Sequence, residues 1–556
     1  MLRTRNASVT ALHTPVSQCV SRRGSQGYMY STSSNAQWPF EDSSDIPEET
    51  TRDTTTHIKR RRHSKLSNKA LKLIRSIERL YRPKTAVTQF SNIDNDGIST
   101  DSLLLPRDKR DVSLDTIPSS DTSEYGPTKA LVRSIYRSAT GNVFNDALWK
   151  RYVHKISAIH STLKPADLCI VLYSFAKVKY LDNELLKLLT PLIVRNISNL
   201  SCGGAALILN ALKRLEVPNH DIIELATNEL CLKMDHANLQ DIALTANALA
   251  YFQVQHHRFW NMLTRSVSLR HHQMTPLQAS LILASLAKMD MRNPLMLRLL
   301  KDKLRAAVER GDLSQELLTL CFHSLAKLDF SANNFYNACT EQFTQMLDMQ
   351  PEAVDTQSLV LYLYTAVCIL DVPQTAIVKC LEVLAQRKDV LSNYKAGKMK
   401  FVIDFLENKY PAILEVLNKE TLDLLDKIKE YKLYKAKKTL SRWSLEVSRC
   451  LKKHNIRHRT NVQLGHLYAD ILIPDLSVIV KCAGPFSYYV KSQKLTTFAQ
   501  IEHKALTMKG YKVCILPYYE WNALKTDDQK LEYLKKFGET WASVHFGNGT
   551  EQLDMA

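Results

Sequence analysis

Two groups of side chains have the types and spacing to act on a polyanion. The first is a column, Lys177, Arg214, Tyr251, Lys288 and Lys327, in which cations and one aromatic recur at near-constant intervals. The second is the run from residue 427 to 459, with twelve basic and two acidic residues and with Tyr431, Tyr434 and Trp443 interleaved. Its candidate contacts are Lys435, Lys437, Lys438, Arg442, Lys452, Lys453 and Arg457. Cations neutralise phosphates and aromatic rings stack on unpaired bases, so this mixture fits a single-stranded nucleic acid. A solvated charged face would use the same residues, and both readings stay open on composition alone.

The column belongs to a repeat. Ser174-Phe175-Ala176-Lys177-Val178-Lys179-Tyr180 shares its pattern of small and apolar residues with five later segments. The second positions are Phe175, Leu212, Leu249, Leu286, Leu325 and Val367, at spacings of 37, 37, 37, 39 and 42. The column position in the sixth copy is Ile369. Each copy closes one helix-like segment and is followed by another, and two helices of roughly 14 residues with two turns fill such a period. Neither helix buries its apolar face alone, so stacking of hairpins into an α-solenoid over residues 127–425 is the expectation. The first hairpin begins near Lys129 or near Ile156.

The flanks differ from the array. Residues 1–40 contain no Asp or Glu and carry Arg3, Arg5, Arg22 and Arg23 among many Ser and Thr, the composition of a mitochondrial transit peptide. Residues 41–126 read as a low-order region with few large apolar residues to bury, broken by a basic run at Lys59–His63 and one amphipathic stretch. After a basic linker or helix at 426–460 the periodicity changes. Residues 467–473, 476–482 and 512–516 read as strands and 495–508 as a helix, a small α/β unit at 461–540. The fold class is therefore mostly α, with a small C-terminal α/β domain. The net charge of +18 over 556 residues points to nucleic acid before membrane. Half of that excess, +9, lies in residues 426–556. The eleven cysteines form no C-x-x-C pair, which argues against a zinc ribbon or a disulfide framework. Cys169, Cys231, Cys321, Cys368 and Cys514 read as small buried hydrophobes. The longest strongly apolar run, residues 359–370, is short of the ~20 residues of a membrane span, so no membrane insertion is expected.

The C-terminal unit resembles the RAP domain. The matching residues are Tyr468-Ala469-Asp470-Ile471, Val478-Ile479-Val480-Lys481-Cys482-Ala483-Gly484-Pro485, Lys504-Ala505-Leu506, Gly510-Tyr511-Lys512-Val513 and Ile515-Leu516-Pro517-Tyr518-Tyr519-Glu520-Trp521, over about 466–524. The array is similar to the heptatricopeptide-type repeats that accompany RAP domains. The combination implies a mitochondrial matrix protein that binds mitochondrial RNA (rRNA or mRNA). It would act in RNA processing, stability or ribosome assembly, with mitoribosomal or assembly proteins as partners and no DNA specificity. Lys481, Tyr488 and Lys504 join the expected RNA contacts. The resemblance also implies a restriction-endonuclease-like fold, whose chemistry needs two carboxylates and usually a lysine around a metal ion. Asp470 matches the first acid, while Lys481 and Ala483 stand where the family often has Glu and Asp, and Phe486-Ser487-Tyr488-Tyr489 replaces a frequent His. A degenerate site with no catalysis, no metal and no cofactor is the expectation, with Asp470 paired to Lys481. The alternatives are a metal-dependent ribonuclease and a protein-interaction scaffold.

Overall fold

A computed structural model describes residues 126–370, 372–387, 391–433 and 441–539. The expected transit peptide and low-order region, and Lys435, Lys437 and Lys438, lie outside these residues. All described residues belong to one unit, 83–556.

The array opens with α1 (Pro127–Thr140) and α2 (Asp146–Ile159). It continues through α3 (Pro165–Lys177), α4 (Asn183–Asn196), α5 (Cys202–Arg214), α6 (His220–Leu232), α7 (Leu239–Tyr251) and α8 (His257–Arg270). Then follow α9 (Pro276–Lys288), α10 (Pro294–Glu309), α11 (Gln315–Lys327), α12 (Asn333–Met349), α13 (Thr356–Cys368) and α14 (Gln374–Ala385). A last group, α15 (Asn393–Lys409), the short α16 (Pro411–Val416) and α17 (Lys419–Glu430), closes it. Helices α3, α5, α7 and α9 begin at residues 165, 202, 239 and 276, three steps of 37.

Odd-numbered helices from α1 to α15 stack on one another as the inner layer, and their even-numbered partners form the outer layer. The burial follows. Inner helices are flanked on several sides, and α13 buries all thirteen of its residues. Outer helices bury one stripe, as α6 does with Ile222, Ile223, Ala226 and Leu230. Side-chain caps start many of them: Ser201 accepts from the Gly204 amide, Asn219 from Ile222 and Thr275 from Gln278.

The recurring seven-residue pattern proves to be a helix end. Lys179, Glu216, Gln253, Asp290 and Asp329 all have φ between 50° and 56°. Around the first, the Tyr180 amide donates to the Phe175 carbonyl at 3.0 Å and the Lys179 amide to Ala176 at 3.1 Å. That is a Schellman cap, which needs apolar residues at both ends to touch, and the Phe175 and Tyr180 rings lie 6.0 Å apart. The sixth copy breaks the pattern. α13 starts 41 residues after α11 (315 to 356), so Cys368, buried, occupies the column position expected for Ile369. Ile369 has φ −108°, and Leu370, at the position where the earlier copies turn left-handed, does not.

The α/β domain is larger than expected. It comprises α18 (Arg442–Lys453), β1 (Arg459–Leu464), β2 (Leu467–Ile473), β3 (Val478–Ala483), α19 (Thr497–Met508), β4 (Lys512–Pro517), α20 (Tyr518–Ala523) and α21 (Asp527–Glu539). The sheet order is β1-β2-β3-β4, antiparallel except for the parallel β3–β4 pair, which α19 connects. β1 is an addition to the three expected strands. The expected linker at 426–460 divides between units: α17 ends the array, and α18 packs Val447, Cys450 and Leu451 against Ile471, Val480, Leu516 and Trp521. On the sheet's other side Ile479 and Leu472, with Ile501 and Leu506 of α19, join the core of the array. The ten described cysteines are all unbridged, and burial pushes the Cys231 thiol up to about 11 and Cys321 up to about 12.

Candidate nucleic-acid interface

Lys177, Arg214, Tyr251, Lys288 and Lys327 are the last residues of α3, α5, α7, α9 and α11, so one line at the inner-helix C-termini carries the column. All five are partly exposed. Each inner helix ends on carbonyls that carry partial negative charge, which favours a cation there. The Arg214 guanidinium reaches back to the previous repeat, donating to the Ala176 and Lys177 carbonyls at 3.3 Å. Lys288 Nζ lies 4.7 Å from the centre of the Tyr251 ring. Lys327 Nζ donates to the Ala287 carbonyl at 2.7 Å and sits 3.3 Å from Asp290. The column thus stitches neighbouring hairpins together. Lys177 differs: burial and the adjacent Arg214 both push its ammonium below the usual lysine range.

The α/β domain docks on the C-terminal part of this line. Tyr489 Oη donates to the Lys327 carbonyl at 2.6 Å, Thr497 Oγ1 donates to the same oxygen at 2.9 Å, and the Val490 amide donates to the Asp290 carbonyl at 3.0 Å. Lys494 pairs with Asp329. Farther along, Lys509 meets Asp404 of α15 at 2.9 Å, and the rings of Phe401 and His466 are 4.7 Å apart.

Inside the domain, Lys481 meets Glu502 as its nearest carboxylate, with the charge of Asp470, the expected partner, acting on it as well. Asp470 Oδ2 accepts from the Cys482 amide at 3.0 Å. Lys481 Nζ is 3.1 Å from Glu502 of α19 and donates to the Tyr468 carbonyl at 3.3 Å. Burial alone would lower the Lys481 ammonium; Glu502 and then Asp470 outweigh it and leave it raised. Glu502 escaped sequence reasoning because nothing local links position 502 to position 481. Among the described residues no cluster of three or more His, Cys, Asp or Glu side chains is placed to hold a metal ion. Tyr488 is buried among Tyr518 and Tyr519, at 5.8 and 5.6 Å, and faces neighbouring rings rather than water. Lys504 is exposed on α19.

The basic surface of the domain is α18. Arg442, Lys452, Lys453 and, beyond its end, Arg457 are exposed. Arg449 was missed; it is also exposed, and its spacing of seven from Arg442 and four from Lys453 places it on the same helix face. Lys453 pairs with Asp527 at 2.5 Å, so part of this charge is already balanced. No described helix is long and apolar enough to cross a membrane.

Two families match the chain. The RAP domain matches residues 480–537, which cover α19, β4 and α20 and most of β3 and α21. The RNA-editing substrate-binding complex 6 protein family matches residues 120–334, the array from α1 to α11. No curated protein matches the chain. With the match running from β3 to α21 and the helical array ahead of it, the C-terminal unit carries a RAP domain.

Proposed function

We propose that the protein is a non-catalytic, mitochondrial RNA-binding protein that acts in organelle RNA processing, stability or ribosome assembly. The observation that carries the RNA reading is the exposed basic face of α18, built onto a RAP domain. Charge on one face of a rigid helix is suited to a phosphate backbone. The similarity of the array to an RNA-editing substrate-binding complex protein supports a role in RNA processing. The acid-free, Arg-bearing first 40 residues support a mitochondrial address. The non-catalytic reading rests on how the nuclease-like residues are used. Asp470 accepts from the Cys482 amide, and Lys481, which stands where the family often has an acid, meets Glu502.

Crosslinking in cells followed by sequencing of the bound RNA tests the proposal. Organelle transcripts are the expected catch, and recovery of nuclear-encoded cytosolic RNA alone would refute the organelle assignment. Purified protein with magnesium or manganese should leave RNA intact. Cleavage that Asp470→Ala abolishes would establish the ribonuclease instead.

A further inference from the structure

One helical turn before the column the inner helices carry a second line. Tyr173 precedes Lys177 by four residues, Asn210 precedes Arg214, Asn247 precedes Tyr251 and His323 precedes Lys327. Residues four apart on a helix lie on one face, so the two lines share a surface. At its N-terminal end the Tyr136 ring of α1 lies 6.4 Å from Tyr173, and both rings are partly exposed. The Arg214 guanidinium is fixed beside the end of α3 by the Ala176 and Lys177 carbonyls. Two neighbouring cations therefore stand one turn from a pair of tyrosines.

At its other end the line is covered. His323 is buried and meets Thr365 at 2.8 Å, and its ring is 6.0 Å from Tyr364. Tyr364 lies 6.2 Å from Phe401, and Phe401 packs on His466 and Phe498 of the RAP domain. So the same surface is partly exposed at Tyr136, Tyr173, Asn247 and Lys288, buried at Asn210 between them, and covered at His323, beside which Lys327 stays partly exposed.

We propose that the stretch from Tyr136 to Lys288 is a track for single-stranded RNA, and that the docked RAP domain ends it. Tyr136 and Tyr173 stack on bases, Lys177 and Arg214 neutralise phosphates, and Tyr251 with Lys288 continues the track. The proposal rests on the RNA-binding reading and adds to it a surface that ends 154 residues before α18 (288 to 442). Placing Lys177 against Arg214 costs the array stability, because burial and the second cation both disfavour its charge. A bound polyanion reverses that cost.

The test uses the full chain, a fluorescein-labelled twelve-nucleotide oligouridine and a duplex of equal length, read by anisotropy. Tyr173→Leu is expected to weaken oligouridine binding about tenfold, while Tyr173→Phe, which keeps the ring, binds as the unaltered protein does. Lys177→Gln is expected to flatten the dependence of log affinity on log salt by about 0.7. The duplex, whose bases are already stacked, is expected to be insensitive to Tyr173→Leu. Ultraviolet crosslinks to oligouridine should map to the 165–177 peptide. If Tyr173→Leu and Lys177→Gln both bind normally, and crosslinks map to 441–459 alone, the track is wrong while the RNA reading stands. If the unaltered protein binds neither nucleic acid, both fall.

Discussion

Tyr489→Phe tests whether the RAP domain is held on the array by directed hydrogen bonds rather than by apolar contact alone. Tyr489 is 1% exposed, and its hydroxyl sits at a junction. It donates to the Lys327 carbonyl at 2.6 Å and accepts from the Thr497 amide at 3.2 Å. Removing it leaves the Lys327 carbonyl with the Thr497 hydroxyl at 2.9 Å, so that acceptor keeps a partner. The buried Thr497 amide loses its acceptor. One orphaned buried donor costs about 1–3 kcal/mol, and a value near 2 is about a thirtyfold change in the opening equilibrium of the seam. The Val490–Asp290, Lys494–Asp329 and Lys509–Asp404 contacts remain, so the expected result is local opening with the domain still attached. Native-state hydrogen exchange reads it at the amides of Val490 and of Gln500 to Ile501 at the start of α19. Burial outweighs the opposing Thr497 contacts and pushes the Tyr489 phenol up to about 12. A phenol raised in the folded state contributes stability below its ordinary value near 10 and loses it as pH rises toward about 12. Exchange at the seam should therefore show no tyrosine titration below about pH 10. Unchanged exchange in Tyr489→Phe, or additive effects of Tyr489→Phe and Thr497→Val, would refute the junction.

Three further outcomes follow from the geometry. Lys179→Gly and Glu216→Gly relieve a left-handed backbone that costs a side chain about 1–2 kcal/mol and lose some of it to unfolded-state entropy, so each should stabilise the array by about 0.5–1 kcal/mol in urea unfolding. Burial raises the Asp241 carboxyl against the opposing Asn238 backbone contact; a raised carboxyl lowers stability as pH climbs through the interval above its ordinary value, so Asp241→Asn should stabilise at neutral pH and make no difference near pH 3. Glu502→Gln takes the nearest carboxylate from the Lys481 ammonium and should cost about 1–3 kcal/mol; because the folded lysine is raised, that loss holds below its ordinary value near 10.4 and fades as pH rises above it, which thermal melts from pH 7 upward follow.

The repeat was legible because one local structure dictates it. A Schellman cap asks for an apolar residue at both of its ends and a small one between, and Phe175 and Tyr180, Leu212 and Val217, and Leu249 and Val254 meet that demand in the same order. The sixth copy misled for the same reason. α12 is 17 residues long and α13 ends without a left-handed turn, so the match by residue type slid by one position onto Ile369. Strands β2 and β3 were visible as runs of Val, Ile and Leu. β1, Arg459–Leu464, is a polar edge strand whose side chains are at most partly buried, and it carries no such run. α18 was seen for its charge and not for its apolar stripe, because the partners of Val447 and Leu451 lie on strands that come later in the chain.

The binding surface was less legible, because one residue type answers two demands. A lysine or arginine at the end of an inner helix is favoured by the carbonyls it caps, and Arg214 and Lys327 cap carbonyls of the repeat before them. A cationic column at 37-residue spacing is thus what an array needs for its own cohesion, and the column alone does not point to a ligand. The distinguishing residues sit one turn earlier, where the side chains vary: Tyr173, Asn210, Asn247, Ala284 and His323, of which Asn247 and His323 also bond between repeats to Lys213 and Thr365. At His323 the cover comes through Tyr364 and Phe401, which packs on His466 and Phe498 of the RAP domain, far along the chain. A contact of that range leaves no local trace at position 323. The same separation makes the covered and exposed halves of the line independent in mutation: changes at Tyr173 leave the seam untouched, and changes at Tyr489 act on the seam without touching Tyr173.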